Sequence, residues 1–266
     1  MMITLLTDYR SDDEFAGVCR GVIGSICPDC TVIDVSHGIP RHDVRRGAIV
    51  LRNALPFMPA GVHVAVVDPE VGTERRALAV RCADQRVLVG PDNGVLSLAW
   101  ERFGGVVEAV DVSRSQHRLE PVAATFHGRD IFAPVAAHLA RGAELAEAGQ
   151  LVDPDELRAL DLPQASVEGG RLRAHVLLVD GFGNVGLDAV HADLAGTGLA
   201  LGRELDVAAH GVSRPARLVR SFADVAAGEL LVYKDAYRVL AVAVNRGDAA
   251  AELGVQPDDE LVLTPG

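Results

Sequence analysis

Short apolar runs alternate with stretches of helical apolar spacing through the first half of the chain. Ile3-Thr4-Leu5-Leu6 predicts a strand that stops at Thr7-Asp8-Tyr9, and Glu14 to Ile26 then carries apolar residues at helical intervals. Thr31-Val-Ile-Asp34-Val-Ser36-His37 predicts a second strand, and Asp43 to Leu55 a helix closed by Pro56. Val64-Ala-Val-Val67 is a third apolar run. It stops on Asp68-Pro69, crosses a polar loop carrying Arg75 and Arg76, and resumes as Ala77-Leu-Ala-Val80. Val87-Leu-Val-Gly90 leads into the turn Pro91-Asp92-Asn93-Gly94, Val95 to Phe103 predicts a helix, Val106 to Val112 a strand, and Ile131 to Arg141 a helix stopped by Gly142. The βαβαβ order predicts a largely parallel sheet.

From Gly149 to Gly170 the chain turns acidic and proline-bearing, which marks a linker, placed here at 151–170 between an N-terminal domain at 1–150 and a C-terminal one at 171–266. Beyond it the apolar period changes to two: Arg171 to Val179, Leu199 to Val207, Arg217 to Val219, Leu230 to Tyr233, Val239 to Val244 and Glu260 to Thr264. The expected class is therefore α/β, an N-terminal mostly parallel α/β sandwich domain followed by a smaller antiparallel β, barrel-like domain.

Composition narrows the ligand. With 266 residues, 49% of them hydrophobic, the chain can bury two ordinary cores, and a formal charge of −12 argues against a nucleic-acid or anionic-membrane surface. A small-molecule ligand is expected, cationic charge included. No apolar run approaches a membrane span and no basic stretch precedes an apolar one at Met1-Met2-Ile3-Thr4, so the expectation is a soluble cytoplasmic protein. Cys27 and Cys30 form a single Cys-x-x-Cys with no second ligand pair to complete a zinc site, and are expected as reduced thiols; Cys19 and Cys82 read as small core residues.

The candidate chemistry gathers at strand ends, where open α/β sheets collect ligands. Asp8 and Asp68 both stand there, Asp68 followed by a proline that cannot continue a sheet ladder. His127, in Thr125-Phe-His127-Gly-Arg129-Asp130 just before the helix from Ile131, is a third candidate, and all three have a plain structural alternative: Asp8 as a helix N-cap, Asp68 as a solvated loop charge, His127 as a structural residue at a helix entrance with Asp130 suiting the helix's positive end. Gly181-Phe-Gly183-Asn184-Val-Gly186 spells a dinucleotide-binding fingerprint after a strand, with Glu204 near the ribose position. The β period that follows leaves no second half of a doubly wound sheet. Asp180-Gly-Phe182-Gly-Asn184 instead reads as a tight turn presenting a carboxylate, an aromatic face and a carboxamide, suited to an ammonium, a purine ring and a purine edge.

Taken in order, Leu6-Thr-Asp8-Tyr, Asp34-Val-Ser-His37-Gly-Ile, Val67-Asp68-Pro-x-Val-Gly72-Thr with Arg75, Pro91-Asp-Asn-Gly94, Thr125-Phe-His127-Gly-Arg129-Asp130, Asp180-Gly-Phe-Gly-Asn184 and Asn245-x-Gly-x-Ala-Ala250 resemble the S-adenosyl-L-methionine hydroxide adenosyltransferases, relatives of the fluorinase and chlorinase enzymes. The resemblance implies hydrolysis of S-adenosyl-L-methionine to adenosine and L-methionine without metal or other cofactor, in a homotrimer with sites between one subunit's N-terminal domain and a neighbour's C-terminal domain. It implies Asp68, Arg75 and His127 as the catalytic set, Asp8 on the ribose hydroxyls, Phe182 and Asn184 on adenine with Phe222 as a second stacking partner, and Asp180 on the methionine ammonium. Two positions depart from the family pattern: Arg10 stands where glycine is usual, and Ala236-Tyr237-Arg238 where a Ser-x-Gly is usual near the methionine carboxylate.

The implied reaction is an in-line displacement at the ribose C5′ in which a sulfonium leaves as a neutral thioether, so no general acid is required. Water, with a bulk pKa of about 15.7, needs a base, and either His127 or Asp68 fits that role. Halide-dependent adenosyl transfer and adenosyl binding without turnover are the alternatives to hydrolysis.

Overall fold

The computed structural model describes residues 1–266 as two compact units, Met1–Leu160 and Asp161–Gly266. In the first unit β1 (Met2–Thr7), α1 (Phe15–Ile26), β2 (Thr31–Ser36), α2 (Val44–Ala54), β3 (Val62–Val66), β4 (Ala77–Cys82), β5 (Val87–Pro91), α3 (Ser97–Arg102), β6 (Val106–Asp111), α4 (Ala133–Ala140) and β7 (Gln150–Leu151) follow in order. They form one seven-stranded sheet in the order β2-β1-β3-β5-β4-β6-β7. The β2-β1-β3-β5 part is parallel and β5-β4-β6-β7 antiparallel. Both faces are covered, which is why the strands read as continuous apolar runs rather than alternating ones. Val62, Val64 and Val66 pack with α1 and α4, whereas Ala65 and Val67 pack with α2 and α3 around Leu51 and Trp100.

Helix boundaries follow the local chemistry. Asp43 caps α2 by accepting from the Arg46 N–H at 2.9 Å, and Pro56 ends it. The helix expected over 131–141 begins earlier than the apolar period suggests, with a π-helical turn at Gly128–Phe132 running into α4. Cys27 and Cys30 are joined by a disulfide, which corrects the expectation of reduced thiols. A turn in which the Cys30 N–H bonds the Cys27 carbonyl brings their Cα atoms to 5.3 Å, inside disulfide reach. Part of the acidic 151–170 stretch lies inside the first unit, held there by side chains described below.

In the second unit β8 (Ser166–Glu168), β9 (Arg171–Val179), β10 (Val185–Val190), β11 (Glu204–Ala209), β12 (Val212–Leu218), β13 (Leu230–Lys234), β14 (Val239–Val244), α5 (Ala249–Leu253) and β15 (Glu260–Pro265) appear in order. The sheet runs β10-β14-β13-β12-β11-β15-β9-β8, and a further β9–β10 pairing closes seven of its strands into a barrel. Every pair is antiparallel except β12 with β13. Alternate residues such as Leu172, Ala174 and Val176 fill the interior, the period-two signal in the sequence. Of the dinucleotide-like glycines, Gly181 and Gly183 lie in the β9–β10 hairpin turn and Gly186 in β10, so no helix N-terminus stands there to receive a pyrophosphate. No helix in the chain is long and apolar enough to cross a membrane.

One buried histidine ties the fold to pH. His63 on β3 is fully buried, its Nδ1 2.9 Å from the Thr4 Oγ1 and its Nε2 without a hydrogen-bond partner. Burial, assisted by nearby Arg86, lowers its pKa from 6.5 to about 4. The unfolded chain therefore binds a proton on His63 near pH 6.5 that the folded chain refuses until about pH 4. The stability this residue contributes is complete above the higher value and is lost as pH falls through that window. The expected outcome is a wild-type decline exceeding that of His63→Leu by on the order of 3 kcal/mol between those limits, measured by urea unfolding at a series of pH values.

Candidate active site

The four parallel strands β2, β1, β3 and β5 all present their carboxyl ends at one edge of the sheet, and the candidate residues of the first unit collect there. Asp8 follows β1 directly, and Asp68 comes two residues after β3. A cleft of about 780 Å³ opens at this edge, lined by Asp8, Tyr9, Phe15, His42, Asp68 and His127 among others.

Asp68, Arg75 and His127 meet. The Arg75 Nε donates to both Asp68 carboxylate oxygens at 3.0 and 3.1 Å, and its Nη2 donates both to the Asp68 Oδ2 and, at 2.9 Å, to the His127 Nδ1. The ion pair is nearly dry, with side chains 5% exposed at Asp68 and 2% at Arg75. The Arg75 guanidinium also lies 5.3 Å from the centre of the Phe132 ring. Burial, and after it the Arg75 charge, lowers the His127 pKa below the ordinary imidazole value, opposed by Asp68 and Asp130. The imidazole is therefore neutral at pH 7, with one ring nitrogen a donor and the other an acceptor.

Two loops bring these groups together. Residues between β3 and β4 carry Asp68 and Arg75, and within them the Thr73 Oγ1 donates to the Glu70 carbonyl at 2.7 Å while accepting from the Arg75 N–H. Gly72 has φ +83°, and a side chain there would stand 2.6 Å from the Ala124 carbonyl oxygen, so the loop lies directly against the segment leading to His127. That segment is pinned by Asp130, whose buried carboxylate accepts from the Ala123 N–H at 2.8 Å and pairs with Arg129. Asp130 thus lies in the first turn of the helical segment, at its N-terminal end as expected, and also holds the preceding loop. Gly128 makes room for Tyr9: a Cβ there would come 2.1 Å from the tyrosine hydroxyl. Tyr9, Phe15 and Phe126 pack as an aromatic cluster, and burial raises the Tyr9 pKa well above its ordinary value.

Asp8 does not cap a helix. Glu14 precedes α1, and the Asp8 Oδ2 instead accepts the His42 backbone N–H at 2.9 Å across the cleft. Tyr9 and His42 were not legible as site residues. Tyr9 adjoins Asp8, but its aromatic ring fits a core position equally well, and His42 contributes a main-chain N–H that no side-chain pattern announces.

The remaining candidates belong to the barrel. Asp180, Phe182 and Asn184 share the β9–β10 turn, with Phe182 79% exposed. The Asp180 carboxylate is turned onto its own loop. Its Oδ1 accepts the N–H groups of Phe182 and Asn184 at 2.8 and 3.0 Å, and its Oδ2 accepts from the Asn184 Nδ2 at 2.8 Å. Gly183, at φ +80°, leaves no room for a Cβ beside Asp248, which caps α5. Phe222 packs on Tyr233 with ring centres 5.1 Å apart, and burial, with Asp180 nearby, raises the Tyr233 pKa to about 12. No group of three or more His, Cys, Asp or Glu side chains is arranged to hold a metal ion.

Comparison with known proteins places the chain. Residues 3–149 match the SAM hydroxide adenosyltransferase N-terminal domain, and residues 174–262 the C-terminal domain of the same family. A protein of Salinispora tropica named (R)-S-adenosyl-L-methionine hydrolase is 50% identical over 99% of this chain and 98% of its own length. A Thermus thermophilus protein of the same name is 36% identical over 96% of each. The crystal structure of an uncharacterized conserved protein from Thermotoga maritima superposes with a TM-score of 0.93 at 35% identity, covering 99% of this chain and all of that one. Across both of its units, the chain belongs to the SAM hydroxide adenosyltransferase family.

Proposed function

We propose that this protein hydrolyses S-adenosyl-L-methionine to adenosine and L-methionine. The carrying observation is the dry Asp68–Arg75 pair bonded to His127 on the wall of a cleft, in a chain 50% identical to a protein named for that hydrolysis. A water oxygen forms a bond to the ribose C5′ as the C5′–sulfur bond breaks. The electron pair of that bond leaves on methionine sulfur, converting the sulfonium to a neutral thioether, and one water proton passes to a base.

Hydrogen-bond direction separates the two candidate bases. Arginine donates and never accepts, so the His127 nitrogen facing Arg75 is the acceptor and the single imidazole proton sits on Nε2. His127 thereby offers an N–H to the water oxygen and has no free lone pair for its proton. Asp68 is the acceptor that remains. Arg75 donates once to Oδ1 and twice to Oδ2, which leaves a lone pair open on Oδ1, and the carboxylate lines the cleft. In this reading Asp68 takes the proton, His127 orients the water, and Arg75 holds both and stabilises developing hydroxide charge. The nucleophile loses a proton as the sulfonium loses its charge, which a water-poor site favours.

Asp8, with one oxygen held by the His42 N–H, is assigned to the ribose hydroxyls. Phe182 and Asn184, with Phe222, are assigned to adenine. The Asp180 turn is assigned to the methionine ammonium through the lone pairs its own loop leaves free. The same reading includes operation without a metal or cofactor, a cytoplasmic location, and a homotrimer in which a neighbouring copy's barrel completes each site. The 79% exposure of the Phe182 ring supports a partner or ligand over that turn.

Incubating purified protein with S-adenosyl-L-methionine and separating the products by chromatography is expected to give adenosine and methionine in equal amounts. Halogenated adenosine in the presence of chloride or fluoride, or no product, overturns the reading. Asp68→Asn is expected to lower kcat at least about 100-fold while binding persists. His127→Ala is expected to lose turnover with substrate affinity retained. His127→Gln, which can accept from Arg75 and still donate to water, is expected to keep a clearly larger share of kcat than His127→Ala. Equal losses in the two histidine variants would make His127 the base.

A further inference from the structure

The turn Pro91-Asp92-Asn93-Gly94 lies outside the catalytic set, yet it touches both ends of the loop that carries Asp68 and Arg75. In the sheet order β3-β5-β4, β5 stands between the two strands which that loop connects. The loop must therefore cross above the carboxyl end of β5, where Asp92 and Asn93 sit. At the loop's entry the Asn93 Nδ2 donates to the Val67 carbonyl at 2.8 Å, one residue before Asp68, while the Asn93 Oδ1 accepts the Val95 N–H at 3.2 Å. Val67 is fully buried, so Asn93 satisfies a carbonyl lying beyond the end of the β3 strand.

At the exit the Asp92 N–H donates to the Arg76 carbonyl at 3.0 Å, one residue after Arg75, and the Asp92 Oδ2 accepts from the Arg76 Nε at 2.8 Å. The other Asp92 oxygen accepts the Arg158 N–H at 2.9 Å, and its side chain is only 3% exposed. Arg76 reaches on to Glu156, donating from Nη1 to its carboxylate at 3.1 Å and from Nη2 to its carbonyl at 2.6 Å. Arg158 pairs with Glu70 in the middle of the loop at 3.1 Å. Residues 156–158, inside the stretch that reads as a linker, thus act as a strap over the outside of the loop.

We infer that Asp92 and Asn93 are positioning residues for the hydrolysis: two adjacent side chains on one turn hold the two ends of the loop and so set the separation of Asp68 and Arg75. The inference rests on the functional reading above. Neither Asp92 nor Asn93 lines the cleft, so loss of the clamp is expected to act on the chemical step rather than on binding. A shift on the order of 1 Å in a reacting group can cost about 100-fold in rate.

The experiment combines steady-state kinetics, calorimetric binding of S-adenosyl-L-methionine and hydrogen-exchange mass spectrometry on the full-length protein. Asn93→Ala is expected to lower kcat about 10- to 100-fold with the dissociation constant held within about twofold, and to speed amide exchange in residues 68–76. Arg76→Gln, at a partly exposed side chain, is expected to shift both readouts in the same direction by less. In an Asp68→Asn background, Asn93→Ala is expected to cause no further loss of the residual turnover, since its effect runs through Asp68. Three results overturn the inference: unchanged kcat in both single variants, a full multiplicative loss in the double variant, or unchanged exchange in residues 68–76 of Asn93→Ala. If the wild-type protein releases no adenosine, the functional reading falls. The exchange measurement then decides the clamp by itself.

Discussion

The structure turns on one buried ion pair. Taking the Asp68 carboxylate and the Arg75 guanidinium out of water carries a penalty that their mutual attraction offsets only when the geometry is close and the remaining donors find partners. Here Arg75 directs Nε and Nη2 at Asp68, shares Nη2 with His127, and rests near the Phe132 ring. Removing Asp68 or Arg75 would leave the other's charge with little access to water, since the pair is 5% and 2% exposed. Such an arrangement is weak evidence for stability and stronger evidence for chemistry. Its cost is accepted where a carboxylate and a guanidinium must be held at fixed places in a cleft.

Sheet topology supplies the fixed places. The loop from β3 to β4 does not close a hairpin, because β5 intervenes and runs parallel to β3 and antiparallel to β4. The sheet therefore changes from parallel to antiparallel pairing at the strand over whose end the loop passes. Asp8, Asp68 and the Asp92-Asn93 turn emerge at the carboxyl ends of neighbouring strands, the edge at which open α/β sheets gather ligands. His127 arrives from far along the chain at the start of a π-helical turn, and Gly72 and Gly128 are small where its segment grazes the β3–β4 loop and Tyr9.

Much of this was legible in the order of residues, for identifiable reasons. Strands buried on both faces announce themselves as apolar runs, and a run that ends on Asp68-Pro69 must leave the sheet there, so the placement of Asp8 and Asp68 followed from pattern alone. The period-two stretches after residue 170 likewise announced a β domain. Other features depended on contacts that linear order does not carry. The position of β5 between β3 and β4 is a pairing choice, and without it Asp92 and Asn93 read as an ordinary turn. The acidic stretch around Glu156 and Arg158 reads as a linker because its partners, Arg76 and Glu70, lie some eighty positions upstream. The Asp180 carboxylate reads as free, whereas the turn that displays it also consumes part of its hydrogen-bonding capacity.

The proposed chemistry explains why so few groups are needed. A sulfonium departs as a neutral thioether, so nothing need protonate the leaving group, and the protein's task contracts to holding a water in line and accepting one proton. A histidine serving as the base would have to present a bare nitrogen to that water, but Arg75 already occupies the lone pair on Nδ1 and fixes the proton on Nε2. In the proposed reading the direction of a single hydrogen bond separates the roles: the imidazole would offer its N–H to the water oxygen, the carboxylate would accept from the same water, and the guanidinium between them would keep the carboxylate paired until the proton arrives. A halide ion in place of water would have no proton to surrender and would gain nothing from an adjacent carboxylate. The presence of Asp68 on the cleft wall therefore favours water over halide as the nucleophile, on grounds of charge alone.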